Sequence, residues 1–197
     1  MTLSVNEICK SYSEKVVLDR FSCEFTKGIN FLTGSSGIGK TTLLRIICGL
    51  EKPDFGSITG LVGAPAVMFQ EDRLLPWCSA LENVFCPFGK GAKASASEIL
   101  LKLLIAKEDQ EKLPSMLSGG MQRRVALART LLFAKRRGGN VILLDEPFKG
   151  LDKETKEAVM SACRAQLEDR ITIIVSHDIT DQDIKDVKSG INTISIC

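Results

Sequence analysis

One stretch near the N-terminus has the residue types and spacing of a phosphate-binding loop. Residues Gly34 to Thr41 read GSSGIGKT, which fits the pattern G-x-x-x-x-G-K-[ST] at every required position. Glycines allow the backbone to curl so that successive N–H groups point at phosphate oxygens, and the positive end of a following helix adds to the attraction. The residues predicted to hold a nucleotide here are Gly34, Ser35, Ser36, Gly37, Ile38, Gly39, Lys40, Thr41 and Thr42.

Two acidic residues after a second apolar run extend this chemistry. The stretch VILLDEP ends in Asp145 and Glu146. In phosphate-loop chemistry a lysine, here Lys40, reaches the β- and γ-phosphates, and the Thr41 hydroxyl binds Mg²⁺. We expect Asp145 to hold the same Mg²⁺ through a water, and Glu146 to point toward an attacking water. Together these residues predict hydrolysis of a nucleoside triphosphate, in which positioning and charge neutralisation carry the catalysis.

A second segment also has the features of an anion site. It reads PSMLSGGMQRRVALART and places Ser118, Gly119 and Gly120 directly before a long helical pattern. The N–H groups at a helix N-terminus, together with the helix dipole, attract anions. Because Gly34 to Thr41 already form a complete phosphate loop, this segment raises the question of which phosphate it would contact.

The order of apolar runs predicts the fold class. Short apolar runs alternate with helical patterns, which indicates an α/β fold with a largely parallel sheet, and we expect an N-terminal antiparallel β portion beside it. The continuous apolar run Val141 to Leu144 is typical of a central strand covered on both faces.

The middle of the chain departs from this alternation. Residues 77–116 contain no convincing strand, and Ser95 stands three residues before Glu98, which predicts a capping box at the start of a helix. We therefore expect a small helical insert at 77–116, ending at the second anion segment. The nucleotide-binding core would then comprise residues 1–76 and 117–197, in a single cassette.

Composition and charge exclude several classes of protein. The formal net charge of +2 does not indicate a nucleic-acid partner, and no apolar run is long enough to span a membrane. With one histidine and no C-x-x-C pair, a zinc site is not expected. The arginines 123, 124 and 129 and the basic run 135–139 are expected to form solvated faces.

The motifs together resemble the nucleotide-binding subunits of ABC transporters, whose core is a P-loop NTPase fold. Leu117 to Gly120 are similar to the family signature. The resemblance implies ATP and Mg²⁺ as cofactors, and it implies four further site residues. Tyr12 would stack on adenine, Gln70 would serve the catalytic site and the metal, Asp152 would lie in the loop after the acidic pair, and His177 would contact the γ-phosphate.

The resemblance also answers the question raised by the second anion segment. In that family two copies pack head to tail, and each ATP lies between the phosphate loop of one copy and the signature of the other. Ser118 and Gly120 would therefore contact the γ-phosphate bound to a second, identical subunit. The resemblance further implies membrane-spanning permease subunits as partners, a solute-binding protein acting indirectly, and a cytoplasmic location at the inner face of the membrane.

The sequence after Gln70, EDRLLPWCSALENV, resembles the importer branch that serves nitrate, sulfonates, taurine and pyrimidine precursors. Two other interpretations of the function remain open: the ATPase subunit of a multi-component exporter, and a non-transport ATPase acting on nucleic acid or ribosomes.

Individual residues also have alternative interpretations. Tyr12 fits a surface turn, Gln70 a solvated strand end, His177 a structural histidine, and Trp77 either a docking surface or an anchor for the insert.

Overall fold

The computed structural model describes residues 1–13, 15–176 and 192–196, and within them the chain forms two compact units. The first unit comprises Met1–Val67, Gly139–Asp145 and Leu167–Cys197, so far as these residues are described. The second comprises Met68–Gly138 and Glu146–Gln166. The predicted site residues are distributed over both units, and each unit is described by itself.

A three-stranded antiparallel sheet opens the first unit. Strands β1 (Thr2–Tyr12) and β2 (Lys15–Thr26) pair with each other, and β1 also pairs with β4 (Phe55–Thr59). Leu3, Val5 and Ile8 of β1 are buried, whereas much of the other face is exposed. This one-sided burial is typical of an antiparallel sheet with one solvated face, and it confirms the antiparallel N-terminal portion.

A five-stranded sheet forms the other part of the first unit. Its strands are β3 (Gly28–Thr33), β5 (Ala66–Met68), β6 (Val141–Asp145), β7 (Ile171–Val175) and β8 (Asn192–Ser195), in the order β5-β6-β7-β3-β8. The pairs β3–β7, β3–β8 and β6–β7 are parallel. All residues of β6 and β7 are buried. The prediction of central strands in a largely parallel sheet is therefore confirmed.

Helix α1 (Lys40–Ile47) follows β3 and the phosphate-loop segment. Its residues Leu43, Leu44, Ile46 and Ile47 are buried in the apolar core of the first unit, where they join side chains of both sheets. The spacing of these residues puts them on one helical face, so burial of that face holds the N-terminus of α1 against the end of β3.

The second unit is built from helices. They are α2 (Ala80–Phe85), α3 (Lys93–Lys102), α4 (Lys107–Gln110), α5 (Gly119–Arg137) and most of α6 (Lys153–Glu168). Helices α2 and α3 pack on α5, the longest of the five. Residues 77–116, all of which the structure describes, contain helices and no strand. The boundaries of the predicted insert remain a prediction.

The predicted capping box at Ser95 and Glu98 is wrong. Helix α3 begins at Lys93, and its N-cap Ala92 makes no side-chain capping hydrogen bond. A short 3₁₀ turn, Lys90–Ala92, leads directly into α3, so Ser95 already lies inside the helix. The capping box is found instead at α2, where the Ser79 N–H donates to Glu82 Oε2 at 2.8 Å and the Glu82 N–H donates to Ser79 Oγ at 3.2 Å.

No helix in the described parts of the chain is long and apolar enough to cross a membrane.

Candidate functional site

The phosphate-loop segment joins β3 to α1 in a backbone conformation that requires glycine. Gly39, the N-cap of α1, has φ of 114°, and Gly34 has φ of 144°. A Cβ atom at Gly39 would lie 2.9 Å from Leu18 Cδ2 and 3.0 Å from the Val17 carbonyl oxygen. Both the left-handed backbone and the close approach of β2 therefore exclude a side chain at Gly39.

The lysine of this loop is folded back over it. Lys40 Nζ donates hydrogen bonds to the carbonyl oxygens of Gly34 at 2.7 Å and Ser35 at 2.9 Å, and the residue is only 5% exposed. The ammonium group is thus held at the mouth of the curled backbone, where Ser35, Ser36 and Gly37 are exposed. A compact cation beside the backbone N–H groups of a curled loop is an arrangement that suits phosphate oxygens.

A hydroxyl and a carboxylate meet at the base of this loop. Thr41 Oγ1 donates a hydrogen bond to Asp145 Oδ2 at 2.9 Å, and Asp145, the last residue of β6, is 2% exposed. Both atoms are hard oxygen donors of the kind that Mg²⁺ prefers. The structure thus brings together Thr41 and Asp145, the two predicted metal ligands of the first unit.

Tyr12 lies at the end of β1 and is 42% exposed. Lys10 Nζ lies 5.5 Å from the centroid of its ring. Partial desolvation raises the pKa of the Tyr12 phenol, a hydrogen bond with Glu51 raises it further, and a hydrogen bond with Thr42 opposes both. An uncharged, half-exposed ring close to Thr42 is suitable for stacking, and the stacking role stays a prediction.

The predicted residues of the second unit gather around α5. Ser118 is the N-cap of α5, and its Oγ accepts a hydrogen bond from the Met121 N–H at 3.2 Å. A pocket of about 650 Å³ lies beside this helix N-terminus. The predicted site residues that line it are Gln70, Ser118, Gly119, Gly120 and Asp152.

Asp152 has a local role that the sequence did not indicate. Its carboxylate accepts hydrogen bonds from the Thr155 N–H at 2.9 Å and from Thr155 Oγ1 at 2.8 Å, in the first turn of α6. These hydrogen bonds lower the pKa of the Asp152 carboxyl. Asp152 therefore supports the start of α6 as well as lining the pocket.

Glu146 is buried and strained. It is 6% exposed, and its φ of 53° is in the left-handed region that residues other than glycine rarely occupy. Such a backbone persists only where surrounding contacts enforce it. Its carbonyl oxygen accepts hydrogen bonds from Arg123 and from the Lys149 N–H.

The expectation that the arginines of α5 form a solvated face is wrong. Arg123 is 4% exposed, and its guanidinium binds the Glu146 carbonyl and the Asp72 carboxylate. Arg124 donates to the carbonyl oxygens of Leu103 and Leu104. Arg129 donates to those of Asp72 and Arg73. Desolvation lowers the pKa of both Arg124 and Arg129. By contrast, residues 135–138 of the basic run are exposed, as expected, whereas Gly139 is buried.

These contacts identify two charged residues, one buried and one partly buried, that the sequence did not mark as candidates for the site. Asp72 and Arg123 form an ion pair at 2.6 Å, with side chains 23% and 5% exposed. An acid two positions after Gln70 and an arginine three positions after Gly120 are the available sequence signals. Neither signal tells which of many charged residues form a pair, because the two partners lie far apart along the chain.

Trp77 does not act as a buried anchor, because it is 73% exposed. Asn83, which is 1% exposed, instead fixes the backbone of the preceding loop. Its Oδ1 accepts from the Leu75 N–H at 2.7 Å, and its Nδ2 donates to the carbonyl oxygens of Leu75 at 3.1 Å and Cys78 at 2.9 Å. The indole is therefore exposed on a loop whose backbone is held by hydrogen bonds from the buried Asn83 side chain. His177, the remaining predicted catalytic residue, lies outside the described residues.

Comparison with known proteins gives the family. Residues 18–149 match the family described as ABC transporter. The chain belongs to this family. The resemblance inferred from the motifs is therefore confirmed.

Curated relatives of the family are similar to the chain over most of its length. It is 39% identical over 195 residues to the aliphatic sulfonates import ATP-binding protein SsuB of Rhodopseudomonas palustris (strain BisA53), an alignment that covers 92% of the chain and 67% of the relative. It is 42% identical over 158 residues to SsuB 1 of Rhodococcus jostii (strain RHA1), covering 77% of the chain and 62% of the relative. The chain thus spans about two thirds of the length of these relatives.

A solved structure confirms the fold class. The dimeric structure of a post-hydrolysis state of the ATP-binding cassette MJ0796, bound to ADP and Pi, is similar with a TM-score of 0.81 and 25% identity. The similarity covers 98% of the chain and 96% of that structure. The prediction of a P-loop NTPase core is therefore confirmed.

Proposed function

We propose that the chain binds and hydrolyses ATP and powers solute uptake through a separate membrane permease. The observation that carries the hydrolytic part is the contact between Thr41 Oγ1 and Asp145 Oδ2 at the base of a glycine-curled loop that also holds Lys40. The names of the similar import ATP-binding proteins support the transport part.

Thr41 and Asp145 would hold Mg²⁺, with Gln70 as a further ligand. The hydroxyl, carboxylate and amide oxygens of these residues are of the type that Mg²⁺ takes, and the hydrogen bond between Thr41 and Asp145 supports their pairing at one ion. The ion would supply positive charge that neutralises the charge developing on the phosphates during hydrolysis.

Other residues of the chain would bind the nucleotide and activate the attacking water. The N–H groups of Gly34 to Thr42 and the Lys40 ammonium would bind the phosphates, while Tyr12 would stack on the adenine. Glu146 would orient and deprotonate the attacking water, and His177 would contact the γ-phosphate. Positioning of this kind can supply most of the rate enhancement in phosphoryl transfer.

The second anion segment would complete the site of another copy of the chain. The exposed N-terminus of α5, with Ser118 as its cap, lines an open pocket together with Gly119 and Gly120. The N–H groups of Gly119 and Gly120 and the helix dipole suit a γ-phosphate. The dimeric state of the similar cassette bound to ADP and Pi supports the pairing of two copies. In the proposed pair the copies lie head to tail, and ATP favours the closed form. Asp152 would lie at the same interface.

The exposed Trp77 supports docking of a membrane-spanning permease. Tryptophan side chains are highly buried on average, whereas Trp77 is 73% exposed on a loop that Asn83 holds. The chain would then work at the inner face of the cell membrane, with a solute-binding protein acting indirectly and no nucleic acid involved. The names of the similar import proteins favour aliphatic sulfonates as the solute class.

The test uses the purified chain and two variants. Wild type is expected to hydrolyse ATP with Mg²⁺, whereas Lys40→Ala is expected to lose ATP affinity or hydrolysis because the loop loses its cation. Glu146→Gln should bind ATP with a strongly reduced but measurable turnover and elute as a dimer in size-exclusion chromatography. A Glu146→Gln protein that stays monomeric at saturating ATP, together with an inactive wild type, would overturn the proposal.

A further inference from the structure

The guanidinium of Arg123 joins three separate stretches of the second unit. It projects from α5, and Nε and Nη2 donate to the Glu146 carbonyl oxygen at 2.9 Å and 2.7 Å. Nη1 donates to the carbonyl oxygens of Phe69 at 3.0 Å and Gln70 at 2.9 Å. Nη1 also donates to Asp72 Oδ1 at 2.6 Å. One buried side chain therefore holds both the segment 69–72 and Glu146.

Two of the segments held by arginines of α5 contain a residue whose strained backbone bears on Glu146 or on the loop after Gln70. Glu146 has φ of 53°, and Arg73 has φ of 47°. The Glu146 carbonyl is held by Arg123 and the Arg73 carbonyl by Arg129. Because a left-handed backbone at such residues needs external support, these arginines supply part of what keeps each residue in place.

We propose that Arg123 is a positioning residue that sets the direction of the Glu146 side chain and ties it to Gln70. This inference rests on the proposed ATPase function, in which Glu146 and Gln70 serve one reaction. Two donors on one carbonyl fix both its place and its orientation, and the side chain of Glu146 is attached to the same strained residue. Arg123 itself acts through the backbone and needs no contact with ATP.

The chemistry of the guanidinium group explains why arginine suits position 123. Its planar fork presents donors in a fixed geometry, so that two of them converge on one carbonyl while the others reach the segment 69–72. Asp72 balances the buried positive charge. A lysine could keep the ion pair with Asp72, but its point charge could not make the two-donor contact with Glu146.

The experiment therefore compares Arg123→Lys with the matched control Arg129→Lys. Arg129 is on the same helix and holds the carbonyls of Asp72 and Arg73, but it has no hydrogen bond to Glu146. We expect Arg123→Lys to lower the kcat for ATP at least about tenfold while KM changes less than about threefold. Arg129→Lys should lower kcat less than about threefold. Equal losses in the two variants would overturn the proposal.

A second comparison asks whether Arg123 acts through Glu146. In the Glu146→Gln background the carboxylate that Arg123 positions is absent, so adding Arg123→Lys should reduce the residual kcat less than about threefold. If Arg123→Lys instead costs the same factor in both backgrounds, Arg123 acts independently of Glu146 and the proposal fails.

Hydrogen exchange tests the positioning without any turnover. The Lys149 N–H donates to the same Glu146 carbonyl at 3.2 Å, so its exchange rate reports on that carbonyl. Arg123→Lys should speed amide exchange both at Lys149 and in residues 69–73. Arg129→Lys should speed amide exchange in residues 69–73 alone. Unchanged exchange at Lys149 in Arg123→Lys would overturn the inference. If the wild type hydrolyses no ATP, the proposed function fails, and the proposed effect of Arg123 on catalysis fails with it. The exchange rates would still decide whether Arg123 holds Glu146.

Discussion

Thr41 Oγ1 and Asp145 Oδ2 lie 2.9 Å apart, so the first turn of α1 is bonded to the carboxyl end of β6. These residues are separated by about half of the chain, yet their side chains meet because α1 follows β3 and β6 belongs to the same sheet as β3. The contact makes both side chains sensitive probes of the proposed magnesium site.

Replacing Thr41 by valine keeps the shape of the side chain but removes the hydroxyl. We expect ATP hydrolysis in the presence of Mg²⁺ to fall at least about 100-fold, since phosphoryl transfer depends on correct metal placement. Binding of ATP in the presence of a chelator should change little. Hydrolysis rates and calorimetric titrations measure the two effects. Thr59→Val, at an exposed position of β4, is the control, and equal hydrolysis by Thr41→Val and Thr59→Val would contradict the metal assignment.

Replacing Ser118 by arginine puts a bulky cation at the N-terminus of α5. We expect the ATP-dependent dimer of the Glu146→Gln protein to be lost, while the Kd of the monomer for ATP changes less than about threefold. Ser115→Arg adds the same side chain at an exposed position nearby and should leave the dimer intact. Size-exclusion chromatography and a nucleotide titration separate the two effects. Equal loss of ATP binding and of dimer formation in Ser118→Arg would show that Ser118 serves the nucleotide of its own chain.

The Asp152 carboxyl predicts a pH-dependent contribution to stability. Hydrogen bonds from Thr155 lower its pKa in the folded state below the ordinary value of 3.8. A lowered pKa stabilises the folded protein above the unfolded value, and this contribution disappears as the pH falls through the folded value. Asp152→Ala should therefore lower the Tm at pH 7, and the difference from wild type should shrink below about pH 4. A difference in Tm that is the same at both pH values would refute this account.

The cysteines predict a pattern of chemical modification. Burial raises the pKa of the Cys163 thiol to about 12, whereas Cys86 is exposed. Because the thiolate is the reactive form, iodoacetamide should modify Cys86 in the native protein and leave Cys163 unmodified until denaturant is added. Peptide mass spectrometry measures both sites. Modification of Cys163 at the rate of Cys86 without denaturant would contradict its burial.

The features that the sequence predicted well are those encoded in contiguous residues. The curl of Gly34 to Gly39 and the buried run before Asp145 depend on local backbone freedom and local hydrophobicity, and the structure contains both. The helical cap at Ser95 was wrong because the preceding turn already starts α3, while the same motif at Ser79 and Glu82 is real.

The features that the sequence did not reveal are pairings between distant residues. Arg123 and Asp72 carry ordinary charges, and such charges usually lie in solvent. Only the packing of α5 against the segment 69–73 turns these side chains into buried hydrogen-bonding groups. A pattern of residue types along one helix does not contain that information.

The hydrogen bonds of Asn83 affect what an incoming protein would encounter at Trp77. Binding surfaces that are disordered lose conformational entropy when they become ordered, and this loss weakens binding. The buried Asn83 amide already holds the backbone at Leu75 and Cys78, so the backbone that carries the indole would lose little entropy when a partner binds. Asn83→Ala should therefore weaken a complex that depends on Trp77, although the substitution changes no atom of the exposed ring.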